Sequence, residues 1–411
     1  MNTDILIIGG GPAGLFCALR AAAGGLSATV LEKNPRPGKK LLVTGSGQCN
    51  LTNTAPIEMF LKAYGDKGRF VKPALMEFPN TSLMEFFSTR GVSLEERHKG
   101  KVFPRSGRAG DILELLMNQC RQAGVDIRCN RTVTTLSREG TGFRATAGGE
   151  NHSARFVLVS CGGASWPGTG STGDGYALVA ALGHRIVVPH PSLTPVYPSA
   201  FDASSCSGIA LSDTPVTLWR GGKKIGGRIG DLLFTHQGLS GPGILDFSRD
   251  FQPGDEIRLQ LVRTTDREQI EKDIISVCNN SPRKSLKNLL SGFNLPETLI
   301  LVVLKRCGID PETTGAAFDK SSRRILAEAL YGLRYIIRET GGFDEAMATA
   351  GGVDTAEVKS KTMESRVVPG LYFAGEVLDV DGDTGGFNLQ FAFSSGALAA
   401  EGMRHRNLEE L

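Results

Sequence analysis

DILIIGGGPAGLFCALRAAAGGLSATVLEK, residues 4–33, decides the architecture. The run DILII is too short for a helix and is stopped by glycine, so it reads as a buried strand. Gly9, Gly11 and Gly14 then form GxGxxG at once after it. LFCALRAAAGG repeats apolar residues at helical spacing, and ATVLEK reads as a second buried strand that ends in Glu32. Strand, glycine turn, helix, strand and acid in this register form a nucleotide-binding βαβ unit. Gly9 permits the tight turn, Gly11 lets the backbone approach a pyrophosphate, and Gly14 allows close helix-to-strand contact. The helix start offers free N–H groups and a positive dipole end to phosphate. Glu32, eighteen residues past Gly14, can accept hydrogen bonds from a ribose diol.

A second decisive stretch lies at the other end: VPGLYFAGEVLDVDGDTGGFNLQFAFSSGALAA, residues 368–400. LYFA reads as a strand ending at Gly375 and Glu376, and Gly385 and Gly386 open a helix. A βαβ unit completed by a strand, loop and helix from the far end of the chain suits a long ligand. FAD is long enough, and the two segments resemble those of the two-dinucleotide-binding-domain flavoproteins. In such proteins the pair after the last strand holds ribitol or phosphate. The last helix aims its N-terminus at the flavin, where its positive end favours the anionic reduced form by up to about 2 kcal/mol.

Four more stretches narrow the match: KKLLVTGSGQCNLTN (39–53), GGASWPGTGSTGDGYALVAALGH (162–184), GDLLFTHQGLSGPGIL (230–245) and GGVDTAEVKSKTMES (351–365). Together they resemble the YhiN/BaiN-like family of NAD(P)/FAD-dependent oxidoreductases, over nearly the whole chain. The resemblance implies FAD as cofactor and NAD(P)H as a transient reductant. The first stretch departs from the family's usual SGGGRCN, because Gln48 stands where that pattern has arginine. A second GxGxxG at 168–173 also follows a strand. It is expected to border the flavin rather than open a separate nicotinamide domain. Cofactor contacts are expected at Gly9, Gly11, Pro12, Ala13, Gly14, Glu32, Lys33, Lys40, Ser46, Gly47, Cys49 and Asn50. They continue at Val133 beside the adenine, at Gly162 and Gly163, at Gly375, Glu376 and Asp379, and at Gly386, Asn388 and Leu389 in the last helix's first turn.

At 411 residues the chain exceeds one core and calls for several domains. The expected class is α/β: a split Rossmann-like FAD-binding domain (1–190 and 345–411) with an inserted β-barrel-like subdomain (191–265) and a helical subdomain (266–344). Hydrophobic residues are 40% and charged residues 22%, as in ordinary soluble proteins, and 52 glycines point to ligand-cradling loops. Net charge of +3 neither demands nor excludes an anionic partner. Residues 283–338 carry ten Lys/Arg against five Asp/Glu. They read as a solvated helical surface or, more sharply, as an RNA face with Arg283, Lys284, Arg323 and Arg324 on phosphates. Eight scattered cysteines show neither a CxxC pair nor metal-ligand spacing. With no signal-peptide pattern and no membrane-length apolar run, a cytoplasmic protein is expected, and its oligomeric state is open.

Reducing a polarised C=C bond needs hydride from reduced flavin, a proton donor for the neighbouring carbon and a hydrogen-bond donor for the conjugated oxygen. Cys49 admits three readings: a small side chain against the flavin, a general acid, or a redox thiol. His236, in a glycine-rich loop, is a second proton-transfer candidate. The first expectation is reduction of a carbonyl-conjugated C=C in a small molecule. The alternatives are a ribosomal RNA dihydrouridine synthase and a flavin-dependent amine oxidase.

Overall fold

A computed structural model describes residues 2–264 and 266–409. Its strands, in chain order, are β1 Asn2–Ile8, β2 Ala28–Leu31, β3 Thr52–Asn53, β4 Leu94–Arg97, β5 Lys101–Pro104, β6 Asp126–Arg128, β7 Val133–Glu139, β8 Gly142–Ala147 and β9 Glu150–Val159. There follow β10 Ile186–Ser192, β11 Val196–Pro198, β12 Ala210–Arg220, β13 Lys223–Phe234, β14 Leu239–Ser240, β15 Glu256–Leu259, β16 Leu333–Thr340, β17 Ala348–Val353 and β18 Leu371–Phe373. The chain forms two compact units, 1–192 with 343–411, and 193–342.

The first unit is built on a seven-stranded sheet ordered β6-β2-β1-β9-β8-β7, with β18 also on β9. β1, β2, β6, β9 and β18 run parallel, whereas β7, β8 and the first half of β9 form an antiparallel meander. Ile5, Leu6 and Ile7 of β1 are buried on both faces, the signature of a central parallel strand. The helices Pro12–Ala23 and Phe387–Glu409 pack side by side, and their small residues allow it: a Cβ at Gly396 would lie 2.4 Å from the Ala13 carbonyl oxygen. Phe16 of the first helix meets Phe78, Phe86 and Phe393 at 4.8, 5.2 and 5.4 Å between ring centres. This core therefore draws on both chain ends. A small antiparallel sheet, β3-β5-β4, and the pair β10-β17 complete the unit.

The second unit is a closed antiparallel barrel, β11-β14-β13-β12-β15-β16, with helices packed on it. β12 and β13 alternate buried and open residues along much of their length, as a barrel wall requires. Here the expected domain division is corrected. β16 belongs to the stretch assigned to a helical subdomain, yet it closes the barrel between β11 and β15. Leu286, Leu299, Leu326 and Leu330 of the helices share one apolar core with Val216, Leu218 and Ile257 of the barrel. The barrel and these helices form one compact unit, 193–342. Among the described residues no helix is long and apolar enough to cross a membrane.

Candidate functional site

The carboxyl ends of β1, β2, β9 and β18 open onto a cavity of about 1370 Å³, part of it open to solvent. In open α/β sheets ligands bind beyond these strand ends. Gly9, Gly11, Pro12 and Ala13 line it from the first turn, and Glu32, Lys33 and Lys40 from the segment after β2. Val133, Gly162, Gly375 and Glu376 follow from β7 and the ends of β9 and β18, and Asn388 and Leu389 from the last helix. Thr169, Gly170, Ser171 and Thr172 of the second GxGxxG line the same cavity, so that loop serves this site.

The lining suits FAD on three local observations. No side chain caps the helix Pro12–Ala23, which leaves first-turn N–H groups, Ala13's among them, for phosphate. A Cβ at Gly11 would meet nothing within 4 Å, so the backbone there is open to close approach. Arg131, on the cavity wall, holds a buried Nε without a protein partner. Glu32 accepts from the Gly10 N–H at 2.9 Å and from the Asn34 N–H and Nδ2 at 2.8 Å each. A carboxylate has about four lone-pair sites, so capacity remains for a ribose hydroxyl.

Glu376 is the electrostatic centre of the wall. Lys40 Nζ reaches it at 2.6 Å and Ser165 Oγ at 2.9 Å, and the Thr349 N–H donates to it at 2.8 Å. Burial pushes this carboxyl up, but the Lys40 ammonium and those hydrogen bonds outweigh it and hold it below the usual glutamate range. Lys40 also donates to Ser165 Oγ at 2.6 Å, which ties β2, β9 and β18 together at the site.

Several expected contacts lie off the cavity wall. Gly14 packs on β1, where a Cβ would sit 2.1 Å from the Gly9 carbonyl oxygen. Gly163 packs on Thr349, and Gly386 on the backbone of Thr52. Asp379 is held by Lys67 and by the Gly351 N–H at 3.1 Å. Asn388 reaches the wall, but its amide bonds both the N–H and the C=O of Gly382 at 2.7 Å. Ser46, Gly47 and Cys49 belong to a left-handed run with φ of 57°, 85° and 61°. Asn50 bridges that loop to the last helix, with its amide oxygen 3.0 Å from the Gly386 N–H and its nitrogen 3.1 Å from the Thr52 carbonyl.

The structure does not bring Cys49 to the cavity. It is fully buried, and burial pushes its thiol up to about 12 despite a hydrogen bond with Thr44. A thiol in that state is the opposite of a reactive thiolate. His236 is exposed in the turn between β13 and β14 of the second unit. Sequence reading missed Asn34, Thr44 and Arg131 on the wall. Arg131 stands two residues before Val133, and its basic charge in CNRTV was the available signal.

The HI0933-like protein Rossmann domain matches residues 3–402. The chain belongs to the HI0933-like family. Members similar to it include the ribosomal RNA dihydrouridine synthase of Haemophilus influenzae, 34% identical over 96% of each chain. Another is the 3-dehydro-bile acid delta(4,6)-reductase of Clostridium scindens, 32% identical over 97% of this chain and 98% of that one. Among solved structures, 3-ketosteroid delta1-dehydrogenase from Sterolibacterium denitrificans matches with a TM-score of 0.52 at 13% identity. The match covers 98% of this chain and 100% of that one, and it shows shared fold alone. With this family and this cavity, the chain is an FAD-dependent oxidoreductase.

Proposed function

We propose that the chain reduces a C=C bond conjugated to a carbonyl, with NAD(P)H as electron source. One observation carries the reading: a relative named for making dihydrouridine and one named for saturating a bile-acid alkene match the same span at 34% and 32% identity. Uracil C5=C6 and a 3-oxo-4-ene share one chemistry, an alkene polarised by a neighbouring carbonyl. Bound FAD would supply the hydride transfer, from NAD(P)H to the electron-poor carbon. The chain's own groups supply the rest. Lys40, fixed by Glu376 and Ser165, offers an N–H donor on the wall, and Glu32 and the first helix hold the nucleotide end.

Two substrate readings follow from the relatives. Uracil in ribosomal RNA has support from the Haemophilus relative, and a steroid-type enone from the Clostridium one. The test is anaerobic: FAD-loaded protein bleached with NADPH, then offered protein-free ribosomal RNA, a 3-oxo-4-ene steroid, or air. Recovery of yellow colour with one saturated product per flavin, from RNA or steroid, supports the proposal. Recovery only in air, with hydrogen peroxide and with amines as the effective donors, contradicts it.

A further inference from the structure

The segment that borders the cavity packs against a cationic hairpin. Thr44 lines the cavity, and Phe103 approaches Gly45, where an added Cβ would lie 3.3 Å from its ring. Gln48 accepts a 2.6 Å hydrogen bond from Arg97 Nη1 of β4. The Leu51 N–H donates to the Val102 carbonyl at 2.8 Å, and Thr52 and Asn53 pair with Val102 and Lys101 of β5. Through Gln48 the loop thus receives the Arg97 guanidinium.

Residues 97–108, RHKGKVFPRSGR, hold five Lys/Arg and a histidine with no Asp or Glu. His98, Lys99, Arg105 and Arg108 are exposed, and Arg97, Lys101 and Phe103 are half-buried. Of these cations, Arg97 meets Glu95 at 2.7 Å and Arg108 meets Asp111 at 3.6 Å, and Glu96 is exposed. The tip is tied to the β3 segment, where Asn53 Nδ2 donates to the Lys99 carbonyl at 3.1 Å and the Thr54 N–H to the Gly100 carbonyl at 2.8 Å. Arg97 stacks on Phe103 at 4.3 Å, a guanidinium-on-ring platform of the kind on which a base can stack.

The surface of residues 283–338, for which the sequence offers a solvated face or an RNA face, is less suited. Lys287, Arg306, Arg324, Arg334 and Arg338 pair with Glu312, Asp202, Glu271, Glu328 and Glu339. Arg323 donates to the Phe318 carbonyl at 2.7 Å. Half of the ten cations there thus meet a carboxylate.

We propose that the hairpin of β4 and β5, residues 94–108, is a docking surface for the phosphates of single-stranded RNA, placed beside the loop that borders the cofactor cavity. It rests on the reading of that cavity as a reductase site for carbonyl-conjugated C=C bonds, and it selects the RNA substrate class. Phosphate contacts from such a patch make affinity fall steeply with salt.

The test compares FAD-loaded wild type with the triple variant Lys101→Gln, Arg105→Gln, Arg108→Gln and a control triple, Arg283→Gln, Lys284→Gln, Lys320→Gln. The probe is a uridine-containing single-stranded RNA oligonucleotide, read by fluorescence anisotropy between about 50 and 200 mM salt. The hairpin triple is expected to weaken binding at least about tenfold and to flatten the log–log salt slope by about 2, near 0.7 per lost contact. Its flavin absorbance, melting temperature and bleaching by NADPH stay those of wild type, and the control triple binds as wild type does. Wild-type affinity and slope in the hairpin triple, no RNA binding by wild type, or loss confined to the control triple would each overturn the docking proposal. Hairpin-dependent binding with no reduction of either uracil in RNA or the steroid enone would leave the docking surface standing and remove the reductase reading.

Discussion

Lys40 and Glu376 stand 336 positions apart, and their contact is where the two ends of the chain meet at the cofactor wall. In Lys40→Met the Glu376 carboxylate keeps Ser165 and Thr349 but loses its cation. Both side chains are 22% exposed, so the cost falls below that of a fully buried pair, at about 2 kcal/mol. Weaker FAD retention on dialysis and a lower melting temperature would show it. Cys49→Ala should behave differently. The thiol is buried off the cavity wall, so a loss of about 1 kcal/mol of stability is expected with NADPH bleaching of the flavin unchanged. Stopped-flow absorbance separates the two effects. Glu32 and Glu376 could be singled out because each closely follows a buried strand, a local pattern. The engagement of Asp379 by Lys67 and of Gln48 by Arg97 was not, because each joins segments remote in sequence and leaves no periodic trace.

At the scale of elements, the first strand, turn and helix were readable because their spacing is set by backbone geometry. Gly14 is the most sensitive point. A Cβ 2.1 Å from the Gly9 carbonyl would force the helix off β1, so Gly14→Ala should cost about 2 kcal/mol and yield protein that no longer retains FAD on gel filtration. The stretch 351–365 proves to be a brace. His184 Nδ1 meets Glu357 at 3.1 Å and Nε2 meets Ser365 Oγ at 2.8 Å, while Ser365 Oγ accepts from the Val367 and Val368 N–H groups. With those lone pairs used, the hydroxyl proton points to Nε2, so the imidazole is neutral and carries its proton on Nδ1. Burial lowers the pKa of His184 below 6.5, against an opposing pull from Glu357. The unfolded chain therefore binds the proton more readily. Stability is fully present above about pH 6.5 and falls as the pH drops through that value toward the folded-state pKa. Urea unfolding between about pH 5 and 7 should show this slope, and His184→Gln should flatten it; an equal slope in both proteins would count against the brace. β16 was read as helical territory because its barrel partners lie far away in sequence, and only pairing with β11 and β15 makes it a strand.

For the whole molecule, the second unit enters and leaves at one place: the Gly341 N–H donates to the Pro195 carbonyl at 2.9 Å. Its core is its own, and every cavity-lining residue named for FAD belongs to the first unit. Excision of 193–342 with a short glycine-serine bridge from Ser192 to Phe343 should thus leave a folded, yellow protein. Failure to bind FAD after excision would mean that the second unit holds part of the cofactor site. Charge was legible as a total, but not as a distribution, since ion pairs decide which cations remain for a partner. The absorption spectrum of the purified full-length chain is the most direct check on a single coenzyme clasped by both chain ends. It should show oxidised-flavin bands at one flavin per chain, with FAD rather than FMN released on denaturation. A colourless protein that takes up no added FAD would contradict it.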